Sequence, residues 1–132
     1  LGQSQHTHGM RHVIDLVKNL DPSLFESLVL AFTDGPMISL LKSRNVPCFV
    51  IPTLKPFDFS VRKAVTDLIR DQKVDIVHIH GTRAFSNTYS SARKLHKPII
   101  YTVHGWTFNA FQNALKRFVS VKIEAWFSGM AK

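Results

Sequence analysis

Val74-Asp75-Ile76-Val77-His78-Ile79-His80-Gly81, then Arg83 to Leu95, then Pro98-Ile99-Ile100-Tyr101-Thr102-Val103-His104-Gly105: this stretch decides the fold. Residues 74–79 form an apolar run of strand length, 83–95 reads as a helix, and 98–103 is a second apolar run. Each run passes directly into a His-Gly pair. Strand and helix in alternation predict a parallel sheet with helices on both faces. The runs are apolar nearly throughout, as strands covered on both sides must be.

The residues before this stretch repeat the alternation. Met10 to Leu20 places Val13, Ile14, Val17 and Leu20 on one helical face, and Asp21-Pro22 ends the helix because proline cannot extend the ladder. Residues 27–33 read as a strand, and this outweighs the capping-box pattern of Ser23 and Glu26. Asp34-Gly35-Pro36 turns into a helix from Met37 to Ser43, with Asp34 as its expected cap. Residues 46–51 form the next strand, 52–59 a proline- and aromatic-containing loop, and Ser60 is placed to cap a helix from Val61 to Gln72. After the second His-Gly pair, Phe108 to Met130 reads as a helix, although Val119, Val121 and Ile123 alternate as in a strand. Gly2 to Gly9 is expected to be the loop after a central first strand of which Leu1 is the last residue, and a further strand is due after Lys132. The expectation is a single Rossmann-like domain over 1–132, doubly wound and incomplete at both ends.

Composition narrows the function classes. The 132 residues suffice for one core, and 45% apolar content argues against disorder. No apolar run approaches the ~18 residues of a membrane span, and the first residues lack the charged and apolar regions of a secretory signal. The lone Cys48 has no internal disulfide partner and reads as a small buried hydrophobe, which points to the reducing cytoplasm. Net charge is +8, and it is unevenly spread. Residues 1–75 hold nine Lys/Arg against eight Asp/Glu, whereas 76–132 hold eight against Glu124 alone. A basic half implies an anionic neighbour: phosphate, nucleic acid or lipid headgroups.

Ligands of open α/β sheets bind beyond the carboxyl ends of the strands. Three segments arrive there: Gly2–Gly9, His80-Gly81-Thr82 and His104-Gly105-Trp106. Glycine permits close approach to the backbone, and an imidazole can face a sugar hydroxyl or a phosphate. A helix starting near Gly9 would add free N–H groups and its positive dipole end. Strand alternation puts His78 and His80 on one face, where His78 is expected to be a hydrogen-bonded core histidine. A metal held by His78, His80 and His104 lacks carboxylate partners. His6 and His8 read as a disordered start. The chain has no G-x-G-x-x-G order, Walker A sequence or Asp-x-Asp pair, so nicotinamide, flavin and metal-bound nucleotide fingerprints are missing.

At these residues the chain resembles family 4 glycosyltransferases. Residues 8–16, HGMRHVIDL, are similar to the family's Gly-Gly-x-Glu/Gln-x-x-Val-x-x-Leu opening, with His8 at the first glycine and Arg11 at the Glu/Gln position. Residues 74–81 resemble its Pro-Asp-Val-Val-His-x-His-x strand, and 99–105 its Val-x-Thr-x-His-Gly strand. Glu124 stands where the family often has a glutamate.

The resemblance implies half of a GT-B fold, two Rossmann-like domains facing a cleft, with this one on the acceptor side. It implies sugar transfer from a nucleotide-sugar donor with retention of configuration, to a glycan or a lipid-linked acceptor, with no cofactor and no required metal. By the same resemblance His104 is catalytic and reaches toward the donor sugar, while Gly9, Met10, His80, Gly81, Thr82, Gly105 and Trp106 contact substrate. The donor-binding domain with its Glu-x7-Glu region is not in these 132 residues, so turnover is not expected of them alone. Phe108, Phe111, Leu115 and Phe118 fall at helical spacing with Lys116, Arg117 and Lys122 interleaved. The first reading is that the aromatic stripe packs on the sheet and the cations form a solvated face; the second makes those three cations candidate contacts with an anionic membrane surface at the cytoplasmic face. Alternatives are a basic phosphate- or nucleic-acid-binding module, although no nucleic-acid motif is present, a Rossmann enzyme such as a sugar-nucleotide epimerase, and a non-catalytic remnant.

Overall fold

A computed structural model describes residues 2–103, with side chains from Gly9 onward. Four strands alternate with four helices: α1 (Gly2–Asn19), β1 (Val29–Ala31), α2 (Pro36–Ser43), β2 (Cys48–Val50), α3 (Arg62–Asp71), β3 (Val77–His80), α4 (Thr82–Lys94) and β4 (Ile99–Thr102). A 3-10 turn, Phe59–Val61, leads into α3. Each of the four strands expected between residues 27 and 103 is present and shorter than its apolar run.

The strands pair in parallel, β1 with β2 and β3 with β4, in two separate two-stranded sheets. The expected continuous sheet is therefore not formed by the described residues, among which β1 and β3 are not bonded to each other. The two pairs nevertheless share one core. Phe32, Val61, Val65, Ile69 and Ala92 form a buried cluster that gathers Leu30 and Ile51 from one pair and Val77 and Ile99 from the other. On the opposite face Val29, Ala31, Ile38 and Leu41 are buried with Val13, Ile14 and Val17 of α1 and with Cys48 and Val50. Alternating residues of β1 thus serve two layers, α1 and α2 on one side and α3 and α4 on the other, as in a doubly wound fold.

Several local expectations are corrected. The segment Gly2–Gly9, expected as a loop, is the first half of α1. Glycine at both ends costs helix propensity, but the intervening residues have no proline to break the ladder. Gly35, not Asp34, is the N-cap of α2, with Pro36 in the first turn, and the Asp34 carboxylate accepts the Gly35 N–H instead. Asp58, not Ser60, caps the turn before α3, accepting both the Ser60 N–H at 3.1 Å and its hydroxyl at 2.6 Å. Cys48 is half-buried, and burial pushes its thiol pKa up.

Helices α2, α3 and α4 end alike. Asn45, Lys73 and His96 follow them at φ 61, 53 and 54. The next N–H closes back on the helix in each case: Val46 to the Leu41 carbonyl, Val74 to Ile69, and Lys97 to Ala92. These are Schellman caps built without glycine. Each turns the chain straight into the following strand.

Candidate functional site

Strands β3 and β4 deliver their carboxyl ends to one edge. Val77 and Ile79 point toward α3 and α4, packing among Phe85, Tyr89, Ile99 and Tyr101. His78 and His80 therefore point to the other face, the one nearer α1. Their rings stack at 4.2 Å, and the His12 ring of α1 lies 5.6 Å from that of His80. His78 Nε2 is 2.7 Å from Thr102 Oγ1, a hydrogen bond whose donor depends on the imidazole tautomer. His78 is thus half-buried and hydrogen-bonded, as the strand pattern implied.

The turn after His80 is built on Gly81. Its φ of 81° and ψ of 163° lie in a region open to glycine and closed to other residues. The Gly81 N–H donates to the Thr102 carbonyl at 3.0 Å, and its own carbonyl accepts the Phe85 N–H at 3.0 Å, starting α4. The turn is thereby tied to β4 on one side and to the helix on the other. The positive end of the α4 dipole meets the imidazole pair at this edge, an arrangement that suits a phosphate or the hydroxyls of a sugar. A Cβ on Gly81 would meet nothing within 4 Å. Gly81→Ala should therefore cost about 1–3 kcal/mol through the backbone alone. Thermal denaturation checks this, and an unchanged melting temperature would mean that the turn has another conformation.

The wall beside the turn is the loop between β2 and α3, fastened to α4. The Phe57 N–H donates to Ser86 Oγ at 3.1 Å and the Asp58 N–H to Asn87 Oδ1 at 2.8 Å. Asn87 Nδ2 donates to the Lys55 carbonyl at 2.9 Å. Hydrogen bonds from Ser60, and then from Thr53, hold the Asp58 carboxyl below the usual carboxylate range. The stabilisation it gives is present above the ordinary aspartate pKa and is lost as pH falls through the lowered one.

Of the sequence-derived site residues, His80, Gly81 and Thr82 stand together at this edge. Gly9 and Met10 do not open a helix but lie within α1, so the helix-start N–H groups expected at Gly9 are not there. Gly9 is one turn before His12 and shares its side of the helix. His104, Gly105, Trp106, Lys116, Arg117 and Lys122 lie outside the described residues. Sequence reasoning missed His12 and Thr102. Their spacing, three residues after Gly9 and two before His104, was the available signal. Among the described residues no group of three or more His, Cys, Asp or Glu is arranged to hold a metal ion. Nor is any described helix long and apolar enough to cross a membrane.

Parallel strand pairs, helices on both faces and a His-Gly turn at the carboxyl edge define a Rossmann-like half domain of the GT-B kind. The model of Glycosyltransferase Family 4 matches residues 10–132. The chain belongs to that family, whose partners are a sugar donor and an acceptor. No curated protein and no solved structure gives a significant match.

Proposed function

We propose that this domain is the acceptor side of a retaining glycosyltransferase of the hexosyltransferase type. It would move a sugar from a nucleotide-sugar donor to a glycan or lipid-linked acceptor in polysaccharide or glycoconjugate synthesis. The observation that carries the reading is the tethered His80-Gly81 turn at the carboxyl edge, in a chain of this family. His80, Gly81 and Thr82 contact substrate there, with Gly9 and Met10 on the neighbouring helix and Gly105 and Trp106 after β4. His104 faces the donor sugar. A second Rossmann-like domain supplies the donor site across the cleft, and the work is done at the cytoplasmic face of a membrane, with Lys116, Arg117 and Lys122 toward anionic lipid.

Catalysis in this reading rests on positioning and on hydrogen-bond donors aimed at the charge of the departing phosphate, with no metal required. The test is a panel of radiolabelled nucleotide sugars given to the complete gene product together with a detergent-solubilised glycan and lipid extract as acceptor, with a metal chelator present. One of them should be consumed, and His104→Ala should lower kcat by about 10²–10³. Consumption of none, or full activity in the variant, would contradict the proposal.

A further inference from the structure

Leu54, Phe57 and Phe59 are exposed by 77, 44 and 76%. All three belong to the loop between β2 and α3, at the carboxyl edge of the strands. Thr53 Oγ1 donates to Asp58 Oδ2 at 2.6 Å and closes the neck of the loop, so Leu54 and Phe57 ride on its tip and Phe59 follows directly. The bonds to Ser86 and Asn87 of α4 hold its base. Phe57 sits at φ 51°, a conformation bulky residues avoid, so the clamp fixes the tip against a local preference.

Exposed cations flank this apolar tip. Lys55 lies within it, and Arg62 and Lys63 start the helix that follows, Lys63 sharing its charge with Asp67. From residue 52 to 66 the only acid is Asp58, which is occupied by the Thr53 and Ser60 hydroxyls. Another exposed apolar pair, Leu24 and Phe25, stands between Asp21 and Glu26 and lacks this positive rim.

We propose that the 53–59 loop is a wedge that enters an anionic lipid surface and brings the His80-Gly81 edge to it. This rests on the reading that the acceptor is met at a membrane, and adds a contact separate from Lys116, Arg117 and Lys122. A second copy of the chain is a poorer occupant. A stable protein interface buries about 800 Å² on each side, which the exposed side chains of one short loop do not supply. Shallow insertion of a few apolar side chains with cations at the headgroups is enough for reversible membrane binding.

The test is co-sedimentation of the complete protein with vesicles of mixed phosphatidylglycerol and phosphatidylcholine, against phosphatidylcholine alone. The wild type should bind the mixed vesicles preferentially. Leu54→Ser with Phe59→Ser should lower that binding about tenfold or more at an unchanged melting temperature, because both side chains are three-quarters exposed. Lys55→Glu should lower it about fivefold or more. The proposal is overturned if the wild type stays in the supernatant, or if the double variant binds as the wild type does. It is also overturned if the double variant only converts a dimer to a monomer in lipid-free buffer. Consumption of nucleotide sugar with a detergent-solubilised acceptor extract and no vesicles, read on the same double variant, tests the transferase reading separately and should be unchanged.

Discussion

Phe85→Ala should lower the stability of the domain by about 3–5 kcal/mol. Phe85 is fully buried, one turn into α4 and packed against Ile79 of β3. Its ring stacks on Tyr89 at 5.0 Å and meets Tyr101 of β4 at 4.6 Å, inclined by 55°. It therefore ties three elements together directly beneath the His80-Gly81 turn. Alanine would leave a cavity whose lining comes from two strands and a helix, and such a site cannot collapse without moving the turn. Chemical denaturation of wild type and variant gives the difference. A loss below about 1 kcal/mol would mean that the aromatic cluster is not the core of this edge.

Asn87→Ala should cost about 1–3 kcal/mol, because the side chain makes two hydrogen bonds to another segment. The side chain is 3% exposed and satisfies two backbone groups of another segment, the Asp58 N–H and the Lys55 carbonyl. Its removal takes a hydrogen bond from each of these half-buried or exposed groups, each worth about 0.5–1.5 kcal/mol, and empties the buried place of the side chain itself. Asn87→Asp separates the two contacts: the carboxylate still accepts from Asp58, whereas the Lys55 carbonyl loses its donor. It should fall between wild type and alanine. Hydrogen exchange at the Phe57 and Asp58 amides should speed up in the alanine variant, and unchanged exchange would show that the loop is held by other means.

The alternation of strand and helix was readable because parallel strands covered on both faces leave uninterrupted apolar runs, as at 46–51 and 74–79. The turn after β3 was readable from its His-Gly pair, since glycine at a strand-to-helix turn answers a backbone demand that Gly81 meets at φ 81°. What stayed hidden depends on contacts distant in sequence. The clamp of Asn87 on residues 55 and 58 bridges about 30 positions, and an asparagine in mid-helix gives no sign of it. The Schellman caps at Asn45, Lys73 and His96 were hidden because left-handed residues there are not glycines. The extent of α1 was misread because Gly2 and Gly9 suggested a loop, whereas propensity is a weak prior against a continuing ladder. His12 escaped notice because its partner, His80, lies on another element.

In the proposed function, the histidine edge of β3 and β4 is where the sugar chemistry takes place. Ring-nitrogen NMR spectra of the complete gene product, labelled at histidine and titrated with the nucleotide sugar it consumes, test this most directly. His96, exposed at the opposite end of the strands, serves as the internal control. The ring signals of His80, His78 and His12 should move with saturation while those of His96 stay in place. Signals of His80 and His78 that do not respond, or that respond no more than His96, would contradict the proposal.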